Sequence, residues 1–129
     1  MENRQGVTVR ASTWPVRESI DKLESFLRLQ GVTIYARIDQ QNELKKVGLS
    51  SRALEFILFG NPKAGGPVML ETPLAALELP LKVIAWEDQQ QKVWIAYNQG
   101  AYIQKRYELS DKVSGPLNLD GLITKVFGS

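Results

Sequence analysis

The chain has 129 residues, 43% apolar and 23% charged, with 16 Lys and Arg against 14 Asp and Glu for a net charge of +2. That is enough for one domain, residues 1–129, burying roughly two-thirds of its unfolded surface, and the charge is too balanced for a nucleic-acid footprint. It has no Cys and no His, which excludes disulfides, thiolate nucleophiles, imidazole catalysis and His- or Cys-ligated metal centres.

Along the chain, GVTVRAST (Gly6 to Thr13) alternates Val7, Val9 and Ala11 against Thr8, Arg10 and Ser12, the pattern of a half-buried strand. Pro15 opens a helix in which Val16, Ile20, Leu23 and Leu27 share one face, and Gly31 stops it. A second strand, VTIYARID, sets Val32, Ile34, Ala36 and Ile38 against Thr33, Tyr35, Arg37 and Asp39, and a short helix over Asn42 to Val47 follows. ALEFILF (Ala53 to Phe59) is a third strand, apolar on both sides apart from Glu55. Beyond the glycine-rich stretch, Pro67 to Leu79 reads as two helical turns broken by Pro73. LKVIAWED and KVWIAYN form a hairpin, Gln99 to Leu109 a short helix, and Leu119 to Phe127 a closing helix. The order strand, helix, four strands, helix (β-α-β4-α) predicts an α+β fold with a largely antiparallel sheet and helices on one face.

ARID at Ala36 to Asp39, FGNPKAGGPVM at Phe59 to Met69, LELPLKVIAWED at Leu77 to Asp88, VWIAYN and the later Arg106 together resemble the bacterial family known as domain of unknown function 302. The resemblance implies a TATA-binding-protein-like fold and a homodimer, and it implies no activity. Members of that family tend to carry a histidine after the ARID aspartate. Here Gln40 stands in that place, so an imidazole-dependent role does not transfer.

Gly60 to Gly65 has the first spacing of a nucleotide P-loop, but Gly66 and Pro67 replace the lysine and the hydroxyl that such a loop needs. It reads instead as a turn, with Gly65 and Gly66 supplying backbone angles and Asn61-Pro62 the turn chemistry. Lys63 remains available to an anion as a point charge. Asp39, Glu87 and Asp88 fall at strand ends, where they read as solvated turn residues or as a carboxylate pair. Arg37 and Arg106 read as partners for Asp39 or Glu55, or as an anion clamp. Candidate ligand contacts are thus Arg37, Asp39, Asn61, Lys63, Trp86, Glu87, Tyr97 and Arg106, with no catalytic set, no metal site and no cofactor expected.

If the helices cover Val7/Val9, Ile34/Ala36/Ile38, Leu54/Phe56/Leu58, Val83/Ala85 and Val93/Ile95, the other face mixes aromatic, aliphatic and charged groups. Its candidate partner contacts are Tyr35, Ile57, Phe59, Ile84, Trp86 and Trp94. A second copy of the chain, the Pro67 to Leu79 segment with a pocket beneath it, or a nucleic acid each fits such a face, or the inserts simply bury part of it. The absence of an RNP-type motif ranks the nucleic acid last. The N-terminus, MENRQGVTVR, lacks a signal-peptide core, and no 18-residue apolar run occurs. The expectation is a cytoplasmic, non-enzymatic homodimer that binds a small molecule, an anion or a protein and no membrane. The alternative is an enzyme using carboxylate and lysine chemistry, with Asp39, Lys63, Glu87 and Tyr97 as its residues.

Overall fold

A computed structural model describes residues 4–128. Five strands, β1 (Val7–Ser12), β2 (Thr33–Asp39), β3 (Leu54–Gly60), β4 (Leu81–Glu87) and β5 (Val93–Asn98), form one sheet in the order β1-β5-β4-β3-β2. Every neighbouring pair is antiparallel. The expected α+β architecture is present, with β4 and β5 as its hairpin.

Helix α1 (Val16–Leu29) lies across one face. Its four-three-four spacing puts Val16, Ile20, Leu23 and Leu27 in a single stripe, all 3% exposed or less. Each such burial contributes roughly 1.5–3 kcal/mol. Beneath the stripe sit Ile57, Phe59, Val83, Ala85, Ile95 and Tyr97, and α6 (Asp120–Phe127) completes the layer through Ile123. A smaller core stands at one end of the sheet. There α3 (Pro62–Glu71), the 3₁₀ turn Pro73–Leu77 and α4 (Gly100–Arg106) bring Val68, Ala75, Ile103, Tyr107, Leu109 and Leu117 together. Two short elements that the sequence reading lacks, α5 (Asp111–Ser114) and the turn Gly115–Leu117, pack beside it.

The glycine stretch differs from its reading as a turn. Asn61 caps α3, its side chain accepting from the Lys63 N–H at 3.0 Å, and Pro62 follows in the first turn. Gly65 and Gly66 are therefore inside a helix, and neither has a positive φ. A strong start overrides two weak helix formers, and Pro67 is accommodated within the helix. Pro73 does break the run, as expected.

The larger correction concerns which side chains face α1. A β-bulge between Ile34 and Ala36 shifts the pairing of β2 with β3: Ile34 lies opposite Phe59, but Arg37 lies opposite Ile57 and Asp39 opposite Glu55. The extra residue, Tyr35, reverses the alternation. Ile34 then faces the helices while Ala36 and Ile38 face away. In β3 the phase is likewise opposite to expectation. Glu55, Ile57 and Phe59 lie inward, each 5% exposed or less, and Leu54, Phe56 and Leu58 point outward. β1 is reversed as well. Thr8, Arg10 and Ser12 pair with Tyr97, Ile95 and Val93 on the helical face, and Val7, Val9 and Ala11 take the other.

Candidate functional site

The strands run between two ends of the sheet, and the residues singled out in the sequence divide between them. At one end, where β2 and β4 finish, lie Arg37, Asp39, Trp86 and Glu87. Arg37 is the centre of an ion cluster. It donates to Glu55 at 3.0 and 3.1 Å, to Asp21 at 2.6 Å, to Glu24 at 3.2 Å and to the Arg17 carbonyl at 3.2 Å. Burial opposes its charge, but its hydrogen bonds to Asp21 and Glu55 raise its pKa overall. Asp39 caps α2 (Gln40–Lys46), accepting from the Asn42 N–H at 3.0 Å, and takes Arg17 at 3.2 Å. Glu87 faces Arg52 at 3.5 Å. Asp88 accepts the Trp94 indole N–H at 2.8 Å and two backbone N–H groups of its own hairpin turn, and these bonds lower its pKa.

The opposite end holds Asn61, Lys63, Tyr97 and Arg106. Asn61 is the α3 cap described above. Lys63 is exposed at the first turn. Arg106 donates to Glu78 at 3.0 Å, and Tyr107 adds a 2.9 Å bond to the same carboxylate oxygen. Nothing in the sequence pattern marks Glu78 as such a hub. Tyr97 is buried on the helical face with its hydroxyl 2.6 Å from Asp120 of α6. Burial and that bond push its pKa up to about 12.

Asp39 and Glu87 are thus parted from Lys63 and Tyr97. Five residues of β3, about 16 Å of strand, separate the level of Asp39 from Gly60. Glu87 lies opposite Val93, four residues or about 13 Å before Tyr97. Direct hydrogen-bond relay across such gaps does not occur. Among the described residues no group of three or more acidic side chains is placed to hold a metal.

What the architecture does present is the sheet face away from α1. Phe56, Ile84, Trp86 and Trp94 form its centre, flanked by Leu54, Leu58, Ile38 and Val9. All keep solvent exposure, whereas Ile57, Val83, Ala85 and Ile95 on the reverse side have none. Trp86 stands directly opposite Trp94, whose indole N–H is held by Asp88 at the rim, and Lys82 lays its ammonium over the Phe56 ring at 4.4 Å. Ile84, Trp86 and Trp94 therefore face outward as expected. Ile57 and Phe59 do not, because the reversed phase of β3 puts them in the core. Tyr35 is 53% exposed in the bulge at the edge, and Phe56, Leu54 and Leu58 take the places assigned to them. The face is accordingly more apolar than the sequence reading makes it, since Thr8, Arg10, Arg37 and Glu55 have left it.

Fold and face together define a class: α+β proteins with a single antiparallel sheet, helices on one side and an open apolar surface on the other. The chain belongs to the family described as domain of unknown function DUF302, whose model matches residues 7–119. A crystal structure of an uncharacterized conserved DUF302 protein from Bacillus stearothermophilus superposes with a TM-score of 0.79 at 15% identity, over 96% of this chain and 97% of that one. At that identity the likeness is one of fold. Two curated relatives are the fluoride-specific ion channel FluC 1 of Brucella suis biovar 1 and that of Brucella abortus biovar 1, each 29% identical over 119 residues. The match takes in 92% of this chain but 46% and 43% of those proteins. The chain thus spans less than half the length of the curated relatives it matches. Among the described residues no helix is long and apolar enough to cross a membrane.

Proposed function

We propose that the chain is a non-enzymatic binding module that works as a homodimer, with two copies meeting through the open faces of their sheets. The observation that carries this reading is the uncovered aromatic and aliphatic surface centred on Phe56, Ile84, Trp86 and Trp94. An exposed apolar patch of this kind marks an interaction surface, and Trp is enriched where protein partners bind.

The size fits. Five strands and six residues of length give a face of about 450 Å² in projection. Two such faces approach the roughly 1,000 Å² that a specific interface clears, before side-chain relief is counted. Leu77, 73% exposed, borders the same surface beside Leu58 and Lys82 and enlarges it. A two-fold axis through the face sets aromatic against aromatic, the self-complementary arrangement of an isologous dimer.

The parting of Asp39 and Glu87 from Lys63 and Tyr97 weighs against an enzyme built on those four. The FluC relatives support an accessory role: the match takes in 46% and 43% of those proteins, and among the described residues of this chain no helix is long and apolar enough to cross a membrane. Sedimentation equilibrium at micromolar concentration tests the dimer. The expected mass is twice that of the chain, falling to the monomer mass in Trp86→Asp, which places a charge at the centre of both faces at once. A monomeric wild type, or a Trp86→Asp protein that stays dimeric, overturns the reading.

A further inference from the structure

The two hydrophobic cores meet at Leu81, which packs against both, but they leave space unfilled beside it. Between them, at the end of the sheet where α3 begins, is a cavity of about 230 Å³. Its floor is Leu27 and Phe59 from the main core, with Leu117 and Leu119, all 5% exposed or less, and Leu79 and Leu122 form the sides. No charged side chain lines it; the polar side chains are the Asn61 and Asn118 amides. This space is separate from the open sheet face.

The opening is kept by the sequence of α3. Ala64 and Gly65 turn toward the cavity where a helix would ordinarily send large side chains into a core. A Cβ added at Gly65 would meet only Leu79, at 3.8 Å, an ordinary contact. Glycine inside a helix is unfavourable relative to alanine, and here no positive φ requires it. Large side chains are thus missing at both α3 positions that line this space, Ala64 and Gly65.

We propose that this cavity is a binding site for one unbranched alkyl chain, the tail of a medium-chain amphiphile whose polar end stays at the mouth beside the Asn61 and Asn118 amides. The lining excludes a charged ligand from the interior. The volume is below the 300–1,000 Å³ of drug-sized pockets and above that of an apolar void that stays dry and takes up benzene (about 150 Å³). A small hydrocarbon chain meets both limits. This site adds a small-ligand function to the proposed module and stands whether or not the chain dimerises.

The test is calorimetric titration of the full chain with hexanol, octanol, decanol and sodium octanoate, and co-sedimentation with phosphatidylcholine vesicles. The expected result is saturable binding of one alcohol per chain, tightening about fourfold per methylene until the cavity is filled. Gly65→Leu abolishes it, raises the Tm of the unliganded protein and leaves the sedimentation mass unchanged. Ala64→Leu fills the same space and replaces Gly65→Leu if that variant does not fold. Retention on vesicles that is lost in the filled variant assigns the chain to a bilayer lipid, and binding of octanol or octanoate alone assigns it to a free amphiphile. Absence of saturable binding, binding unchanged by the filled variant, or a Tm lowered by both Gly65→Leu and Ala64→Leu overturns the proposal.

Discussion

Tyr97 and Asp120 show how a residue that reads as a site candidate becomes a structural one. The phenol leaves β5 on the helical face, and its hydroxyl meets a carboxylate in the first turn of α6. Arg10 adds bonds to Thr124 and to the Gly128 carbonyl, so the closing helix and its end are held to the sheet by three side-chain hydrogen bonds. Because burial and Asp120 raise the phenol pKa to about 12 from 10.0, the folded state holds this proton more tightly than the unfolded chain. The contribution to stability is therefore complete below pH 10 and is lost as pH rises through about 12. Urea unfolding between pH 9 and 12 should show this decline, and Tyr97→Phe should flatten it. An unchanged slope in the variant would assign the decline to other groups. Asn61 and Asp39 were legible as polar residues at strand ends. That each spends its side chain on a helix cap depends on helix starts that the sequence reading placed elsewhere.

At the scale of the element, one extra residue in β2 changes the meaning of the strand. The bulge at Tyr35 carries Arg37 to the helical face, within reach of Glu55 on β3 and of Asp21 and Glu24 on α1. The Glu55 side chain is 6% exposed, with Arg37 at 3.0 Å and the more distant Arg17 at 3.5 Å. Removing Arg37 leaves the buried Glu55 carboxylate with only the more distant Arg17, so Arg37→Ala should destabilise toward the low end of the about 3–5 kcal/mol that breaking a buried pair costs. Replacing both Arg37 and Glu55 by methionine should cost much less, since it removes both charges together. Equal losses in the single and double variants, read by urea unfolding, would contradict this account of the cluster. The Arg37–Glu55 pairing was visible in the sequence as one of two structural options, and it is the one that forms. The bulge was not visible, because regular alternation is the only phase that a strand pattern offers without its partner.

For the whole molecule, the two faces of the sheet predict different behaviour from substitutions of the same kind. Phe59 is packed among Ile57, Leu81 and α1, and Phe59→Ala should cost about 3–5 kcal/mol at any protein concentration. Phe56 points to the open face, so Phe56→Ala should act mainly through self-association. Its effect on Tm should grow with protein concentration, as mass action on a dimer requires. Thermal unfolding of both variants across a hundredfold range of concentration distinguishes the two. Similar concentration dependence for both would mean that the open face has no partner in this chain.

The amino-acid sequence by itself determined the order of the five strands and of the first and closing helices, the antiparallel hairpin, the apolar stripe of α1 and the exclusion of Cys and His chemistry, because periodicity and residue type are local properties. It also placed Ile84, Trp86 and Trp94 on the outward face. Only the tertiary structure decided the facing of β1, β2 and β3, the helical state of the glycine stretch and the cavity between the two cores. Strand phase depends on register with a neighbour, and a void is a relation among side chains distant in the chain.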